Sequence, residues 1–178
     1  MEKYGDCFGI YCGRFNPIHA GHEAVINEML KLFGADKSRL IIGSANASQS
    51  LRHFFSYEER RAFIKTIFPD IKTLPLGDFA SSDDEWMVAL DDLLESSGIT
   101  PDKAVFFGGC EEDISFFLKL NRKCHILNRF DGTTPKVSAT EIRDNLIHGR
   151  DMNHFLNPLI EEKVRNLFQT KWMDFQKK

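Results

Sequence analysis

The run Gly13-Arg14-Phe15-Asn16-Pro17-Ile18-His19-Ala20-Gly21-His22 sets two imidazoles three residues apart. At that spacing on an opening helix, both rings point to one side and can donate hydrogen bonds to phosphate oxygens. Gly21 lets a ligand approach the backbone closely. A second group of interest is Ser138-Ala139-Thr140-Glu141-Ile142-Arg143. Here Ser138, Thr140 and the N–H groups of a helix start could bind the same polyphosphate from the far side, with Arg143 giving forked, charge-assisted hydrogen bonds. Between them lies Gly43-Ser44-Ala45-Asn46-Ala47-Ser48-Gln49-Ser50-Leu51-Arg52, rich in small and hydrogen-bonding residues, from which Arg52 could reach a phosphate. Each group also has a plainer reading: a structural histidine pair, a helix N-cap and a polar surface loop.

The elements that must position these residues follow from the hydrophobic pattern. Strand-like runs recur at Cys7 to Cys12, Arg39 to Gly43, Ile71 to Leu74, Ala104 to Phe107 and Cys124 to Leu127, with helical patterns between them. Val25, Ile26, Met29, Leu30 and Phe33 repeat at helical spacing and Gly34 supplies a stop, so the histidines bridge a strand end and a helix start. Such a junction attracts anions through its unpaired N–H groups and the helix dipole. Ser56-Tyr57-Glu58-Glu59 and Ser138-Ala139-Thr140-Glu141 fit capping boxes, and Asn157-Pro158 puts a cap before a first-turn proline. The last helix, from Pro158 to about Phe175, carries Leu159, Ile160, Val164, Leu167, Phe168 and Trp172 on a broad apolar face, to be packed on the body or on a second subunit. Alternation of strands and helices predicts an α/β fold with a doubly wound, mostly parallel sheet, whose ligands sit beyond the carboxyl ends of the strands.

Bulk properties narrow the function classes. The 178 residues suit a single domain over 1–178, with a core of about 7–150 and a helical part of about 151–178. A net charge of -3 argues against general binding of nucleic acid or a membrane surface. No apolar run approaches the ~18 residues of a membrane span, and the chain start does not read as a signal peptide, so a cytoplasmic setting is expected. Cys7, Cys12, Cys110 and Cys124 lack Cys-x-x-Cys spacing, which points to reduced thiols near the core. Whether Phe54-Phe55, Phe106-Phe107 and Phe116-Phe117 are core or interface stays open at this level.

The residues carry a resemblance beyond composition. Arg14 to His22 resembles the Gly-Arg-Phe-x-Pro-x-His-x-Gly-His signature of the HxGH nucleotidyltransferases, and Ser138 to Arg143 is similar to their second, Ser-x-Thr-x-x-Arg signature. Ile42-Gly43-Ser44-Ala45, Arg52 and Phe55-Ser56-Tyr57-Glu58-Glu59-Arg60 look most like the archaeal-type nicotinamide-nucleotide adenylyltransferases. The resemblance covers about Phe8 to Leu167 and implies a Rossmann-like fold. It implies that His19 and His22 bind the ATP phosphates and steady charge on the leaving pyrophosphate. It implies further that Arg14, Arg52 and Arg143 are phosphate-binding arginines, with Arg14 and Arg143 in the catalytic set. Gly13, Phe15, Asn16, Gly21, Ser138 and Thr140 would complete the ATP site. Trp86 resembles the tryptophan that stacks on a nicotinamide ring, with Asp83 and Ser44 as further acceptor contacts. Three departures stand out: Asn16 replaces the commoner glutamine, Ala139 sits where glycine or serine is usual, and Asp78 to Glu85 is longer and more acidic.

The implied reaction is transfer of AMP from ATP to nicotinamide mononucleotide, giving NAD and pyrophosphate. Magnesium would arrive with ATP, without a dedicated protein metal site. The partners are small-molecule substrates, with a homo-oligomer possible. Nicotinate mononucleotide or phosphopantetheine are alternative acceptors, and a catalytically silent nucleotide-binding module is the alternative from another class. Cytidylyltransferases fit less well, since Val137 to Arg143 lacks their Arg-Thr-Glu-Gly-Ile-Ser pattern.

Overall fold

The computed structural model describes residues 4–79, 82–127 and 136–178. The first three residues of the chain start and residues 80–81 of the acidic segment before Trp86 lie outside the described residues. The apolar runs form β1 (Phe8–Gly13), β2 (Ser38–Ile42), β3 (Lys72–Pro75), β4 (Ala104–Gly108) and β5 (Lys123–Ile126). All pair in parallel, in the order β3-β2-β1-β4-β5. The order runs outward both ways from β1, which opens a crevice beyond its carboxyl end. The histidine motif leaves the sheet at that crevice.

Period-two alternation sends strand residues to both faces of the sheet. On one face Tyr11, Leu40, Ile42, Val105 and Phe107 meet α1 (Ala20–Phe33), α2 (Tyr57–Ile67), α5 (Ala139–Ile147) and α6 (Pro158–Phe175). On the other, Ile10, Ile41, Ala104 and Phe106 meet α3 (Asp83–Glu95) and α4 (Glu111–Lys119). Burial on both faces suits the apolar runs of the inner strands β2 and β4, whereas the edge strands β3 and β5 are partly exposed. The paired phenylalanines are resolved by the same geometry. Phe54 and Phe55 are buried in the first core, Phe106 and Phe107 face opposite cores, and Phe117 is buried with Phe116 beside it.

Helix starts fall where their caps predict. Ser56 and Glu59 make a reciprocal capping box, Ser138 accepts from the Glu141 N–H, and Asn157 accepts from the Leu159 N–H. Ser82 caps α3, placing Asp83, Asp84 and Glu85 in a first turn where carboxylates favour the helix dipole. The four cysteines are free thiols, with Cys7 buried. Among the described residues, no helix is long and apolar enough to cross a membrane.

Helix α6 packs on the body of the molecule through Ile160, Val164 and Phe168. Leu159, expected on that face, points to solvent instead at 66% exposure, because it sits at the second position of the helix, beside the buried stripe. Phe168 contacts Phe54 at 4.4 Å between centroids and stacks on Trp172 at 5.5 Å. Phe168→Ala is expected to cost about 3–5 kcal/mol in chemical denaturation, because the aromatic cluster cannot collapse into the space left. A loss below about 1 kcal/mol would show that α6 does not depend on this contact.

Candidate active site

His19 is the N-cap of α1 and is only 4% exposed. Its Nδ1 accepts the Gly21 N–H at 3.1 Å, while His22 Nδ1 accepts the His19 N–H at 3.2 Å. The pair thereby forms a capping box built from imidazoles, and the rings stack at 3.7 Å and 25°. Because each Nδ1 accepts, each neutral ring must carry its proton on Nε2, which makes that nitrogen a donor. Phe15 meets His22 edge-on at 4.8 Å and limits its swing. A neutral donor of fixed tautomer is therefore built into the helix start, where the dipole favours anions.

Three side chains lock the surrounding loops. Arg60, 2% exposed on α2, donates to the carbonyls of Arg14 (2.6 Å), Gly43 (2.8 Å), Ser44 (3.2 Å) and Ser56 (3.3 Å). Asn16 clasps the Phe55 backbone with both ends of its amide, at 3.1 and 3.0 Å. Arg143 donates to the Asn16 carbonyl at 2.8 Å and to Thr140 Oγ1 at 3.3 Å, joining the two sequence motifs. Gly13 is obligatory for packing: a Cβ there would meet the Phe15 ring at 2.9 Å.

Two cavities flank Arg14. The larger, about 670 Å³, is lined by Arg14, Phe15, Asn16, His22, Leu51, Arg52, Ala139, Thr140 and Arg143. Partial burial lowers the pKa of Arg14 and of Arg143. Proximity of Arg52 lowers both further, and Arg14 also acts on Arg143. Guanidinium groups gathered closely enough to repel one another mark an anion site, since a bound anion relieves the repulsion. The smaller cavity, about 300 Å³, is lined by Cys12, Gly13, Arg14, Ile41, Gly43, Ser44, Asp78, Trp86, Asp113, Phe116 and Phe117.

The two cavities sort the residues singled out from sequence. Arg14, Phe15, Asn16, His22, Arg52, Thr140 and Arg143 converge on the larger one, and Gly13, Ser44 and Trp86 on the smaller. His19 stands behind His22 and is not among the lining residues. Gly21 and Ser138 also line neither cavity. The Gly21 N–H is donated to His19, so Gly21 serves the cap, and the Ser138 hydroxyl oxygen accepts the Glu141 N–H. Both ends of the Asn16 amide bond the Phe55 backbone, so Asn16 lines the cavity and also fixes the loop shape. Asp83 is exposed in the first turn of α3 and lines neither cavity; Asp78 and Asp113 are the carboxylates that do. Sequence reasoning missed Asp113, Phe116 and His53. Asp113 and Phe116 lie three residues apart on α4, a spacing that signals a common face. His53 adjoins Arg52, and that adjacency was its signal.

The cytidylyltransferase-like family model matches residues 10–145. The chain belongs to this family, the HxGH nucleotidyltransferases. Among relatives of this nucleotidyltransferase, the phosphopantetheine adenylyltransferase of Thiobacillus denitrificans is 28% identical over 171 residues, covering 88% of this chain and 96% of that protein. The nicotinamide-nucleotide adenylyltransferase of Thermococcus sibiricus is 25% identical, covering 89% and 83%. In fold, the nucleotidyltransferase is similar to a bifunctional NMN adenylyltransferase/ADP ribose pyrophosphatase from Francisella tularensis, with a TM-score of 0.76 at 21% identity. That likeness covers 94% of this chain but only 50% of the Francisella chain.

Two stability effects follow from the loop geometry. Asn16→Ala removes both hydrogen bonds to buried backbone groups of Phe55 and should cost about 2–4 kcal/mol in denaturant unfolding; a change below about 0.5 kcal/mol would contradict the clasp. Burial holds His53 below its usual pKa, and Arg14, Arg52 and Arg60 add to the effect against Asp78. The unfolded chain therefore binds this proton more readily, so the contribution of His53 is present above about pH 6.5 and is lost as pH falls through the depressed value. In melting curves between about pH 5 and 8, His53→Gln should flatten the acid-side fall in Tm; an unchanged slope would contradict this linkage.

Proposed function

We propose that this nucleotidyltransferase transfers AMP from ATP to nicotinamide mononucleotide, forming NAD and releasing pyrophosphate. The observation that carries the reading is that Arg14 lines both cavities, one basic and one aromatic. A triphosphate in the larger and a nucleotide phosphate reaching Arg14 from the smaller would meet at a shared positive charge. In that arrangement, the acceptor phosphate oxygen attacks the α-phosphorus of ATP in line. The bond from the α-phosphorus to the bridging oxygen breaks, and pyrophosphate leaves with the electron pair. An acceptor phosphate is already a nucleophile at neutral pH, so alignment and charge neutralisation supply the catalysis.

The roles follow the geometry. His22 donates from Nε2 to the departing phosphates, and His19 caps the helix and orients His22. Arg52 and Arg143 bind the triphosphate from the loop after β2 and from α5. Among the described residues, no group of three or more His, Cys, Asp or Glu is gathered to hold a metal ion. Magnesium enters as part of the substrate, the magnesium complex of ATP, held mainly by phosphate oxygens and water.

One observation favours a second acceptor: the relative matched over most of its length at 28% identity is a phosphopantetheine adenylyltransferase. Against it, Trp86, Phe116 and Phe117 give the smaller cavity aromatic walls suited to a flat ring.

Pyrophosphate release from magnesium-ATP with each acceptor distinguishes the two. Nicotinamide mononucleotide is expected to give the higher kcat/KM, and a preference of more than about tenfold for phosphopantetheine would overturn the assignment. His22→Ala should lower kcat roughly 100 to 1000-fold, as for loss of one preorganised donor to developing charge. Near-normal turnover by a folded variant would remove His22 from the mechanism.

A further inference from the structure

The ionisable lining of the smaller cavity is uneven. Its charged side chains are Arg14, which also lines the triphosphate cavity, and the carboxylates of Asp78 and Asp113. Asp78 lies near enough to Arg14 to act on its charge, whereas Asp113 comes from α4. The Cys12 thiol contributes no charge, because burial pushes its pKa far above the usual thiol range. Both residues are solvent-exposed; hydrogen bonds hold the Asp78 backbone and the Asp113 carboxylate. The Asn46 amide clasps the Asp78 backbone, accepting its N–H at 2.8 Å and donating to its carbonyl at 3.2 Å. Asp113 Oδ2 accepts the Gly109 N–H at 2.9 Å. Phe116 and Phe117 follow Asp113 by three and four residues on α4, so carboxylate and aromatic rings share one face of that helix. Trp86 closes the wall, its ring 6.0 Å from Phe116 and 6.2 Å from Phe117.

A base bound there meets aromatic faces and two carboxylates. A pyridinium ring suits both, since a cation is attracted to aromatic faces and to negative charge. Converting its carboxamide to a carboxylate leaves the cavity shape almost unchanged and adds a like charge beside Asp78 and Asp113. Rejection by a fixed repulsive group is an efficient way to separate ligands of equal size. We propose that Asp113, assisted by Asp78, is a specificity determinant that selects acceptors with an uncharged substituent on a cationic ring and excludes those bearing a ring carboxylate. This inference rests on reading the smaller cavity as the acceptor site.

The test is kcat/KM for nicotinamide and nicotinate mononucleotides, at saturating magnesium-ATP, in the full chain and in Asp113→Asn and Asp78→Asn variants. The wild type should favour the nicotinamide compound by about tenfold or more, the scale of one unfavourable charge contact. Asp113→Asn should shrink that ratio by about fivefold or more through faster use of nicotinate mononucleotide, and Asp78→Asn should shift it the same way by less. A folding defect would lower both values together and leave the ratio intact. An unchanged ratio in both variants overturns the proposal, as does a wild-type preference for nicotinate mononucleotide. Either result leaves the adenylyl-transfer reading standing. Turnover of neither mononucleotide overturns both, and turnover of phosphopantetheine alone assigns the failure to the choice of acceptor.

Discussion

The Arg60 guanidinium draws together the carbonyl oxygens of Arg14, Gly43 and Ser44, the backbone that follows β1 and β2. These strands leave the sheet side by side, and their exposed carbonyls would otherwise face one another across the crevice. A buried cation would ordinarily be costly. Here several backbone carbonyls accept its hydrogen bonds; burial lowers the pKa of Arg60 while Asp78 acts in the opposite sense. The result is a fixed floor from which Arg14 projects between two cavities. Loss of that floor would free the loops carrying Arg14 and Ser44 together.

On this floor the two imidazoles are held by helix-capping interactions. An imidazole replaces the usual serine or aspartate at the N-cap, and a second imidazole replaces the usual glutamate three residues on. The cap stabilises α1 and sets the tautomer of both rings, so one set of hydrogen bonds serves folding and chemistry. Asn16 and Arg143 continue the same economy. Each side chain bonds a distant backbone group, and those bonds bring the loop after β1 against α5 and form a wall of the larger cavity. The aromatic cluster of Phe54, Phe55 and Phe168 supports this wall from below.

Much of this was legible in the chain. The five strands, the capped helices and the order of the two motifs follow from periodicity and from residues such as Ser56, Ser138 and Asn157, whose effects are local. His22, Arg52 and Arg143 could be singled out because each sits in a motif or loop beyond a strand end, and all three line the larger cavity. Less legible were residues whose meaning depends on contacts far along the chain. Asn16 reads as a ligand contact until its partner Phe55, 39 residues on, is known. Arg60 reads as one more helix arginine, and Asp83 as part of the acidic run before Trp86. Helix geometry turns Asp83 to solvent, while α4 carries Asp113 to the cavity from a distant part of the chain. Leu159 failed for a simpler reason, since a helix end offers too few turns for the apolar stripe to be read residue by residue.

In the proposed reaction, Arg14 is the point at which two bound phosphates meet. A crystal structure of the chain with a non-hydrolysable ATP analogue and nicotinamide mononucleotide tests this most directly. The triphosphate is expected among His22, Arg52 and Arg143, the pyridinium ring against Trp86, and the acceptor phosphate and α-phosphate both at Arg14. A nucleotide bound away from the His22 cavity, or an acceptor phosphate out of reach of Arg14, would contradict it.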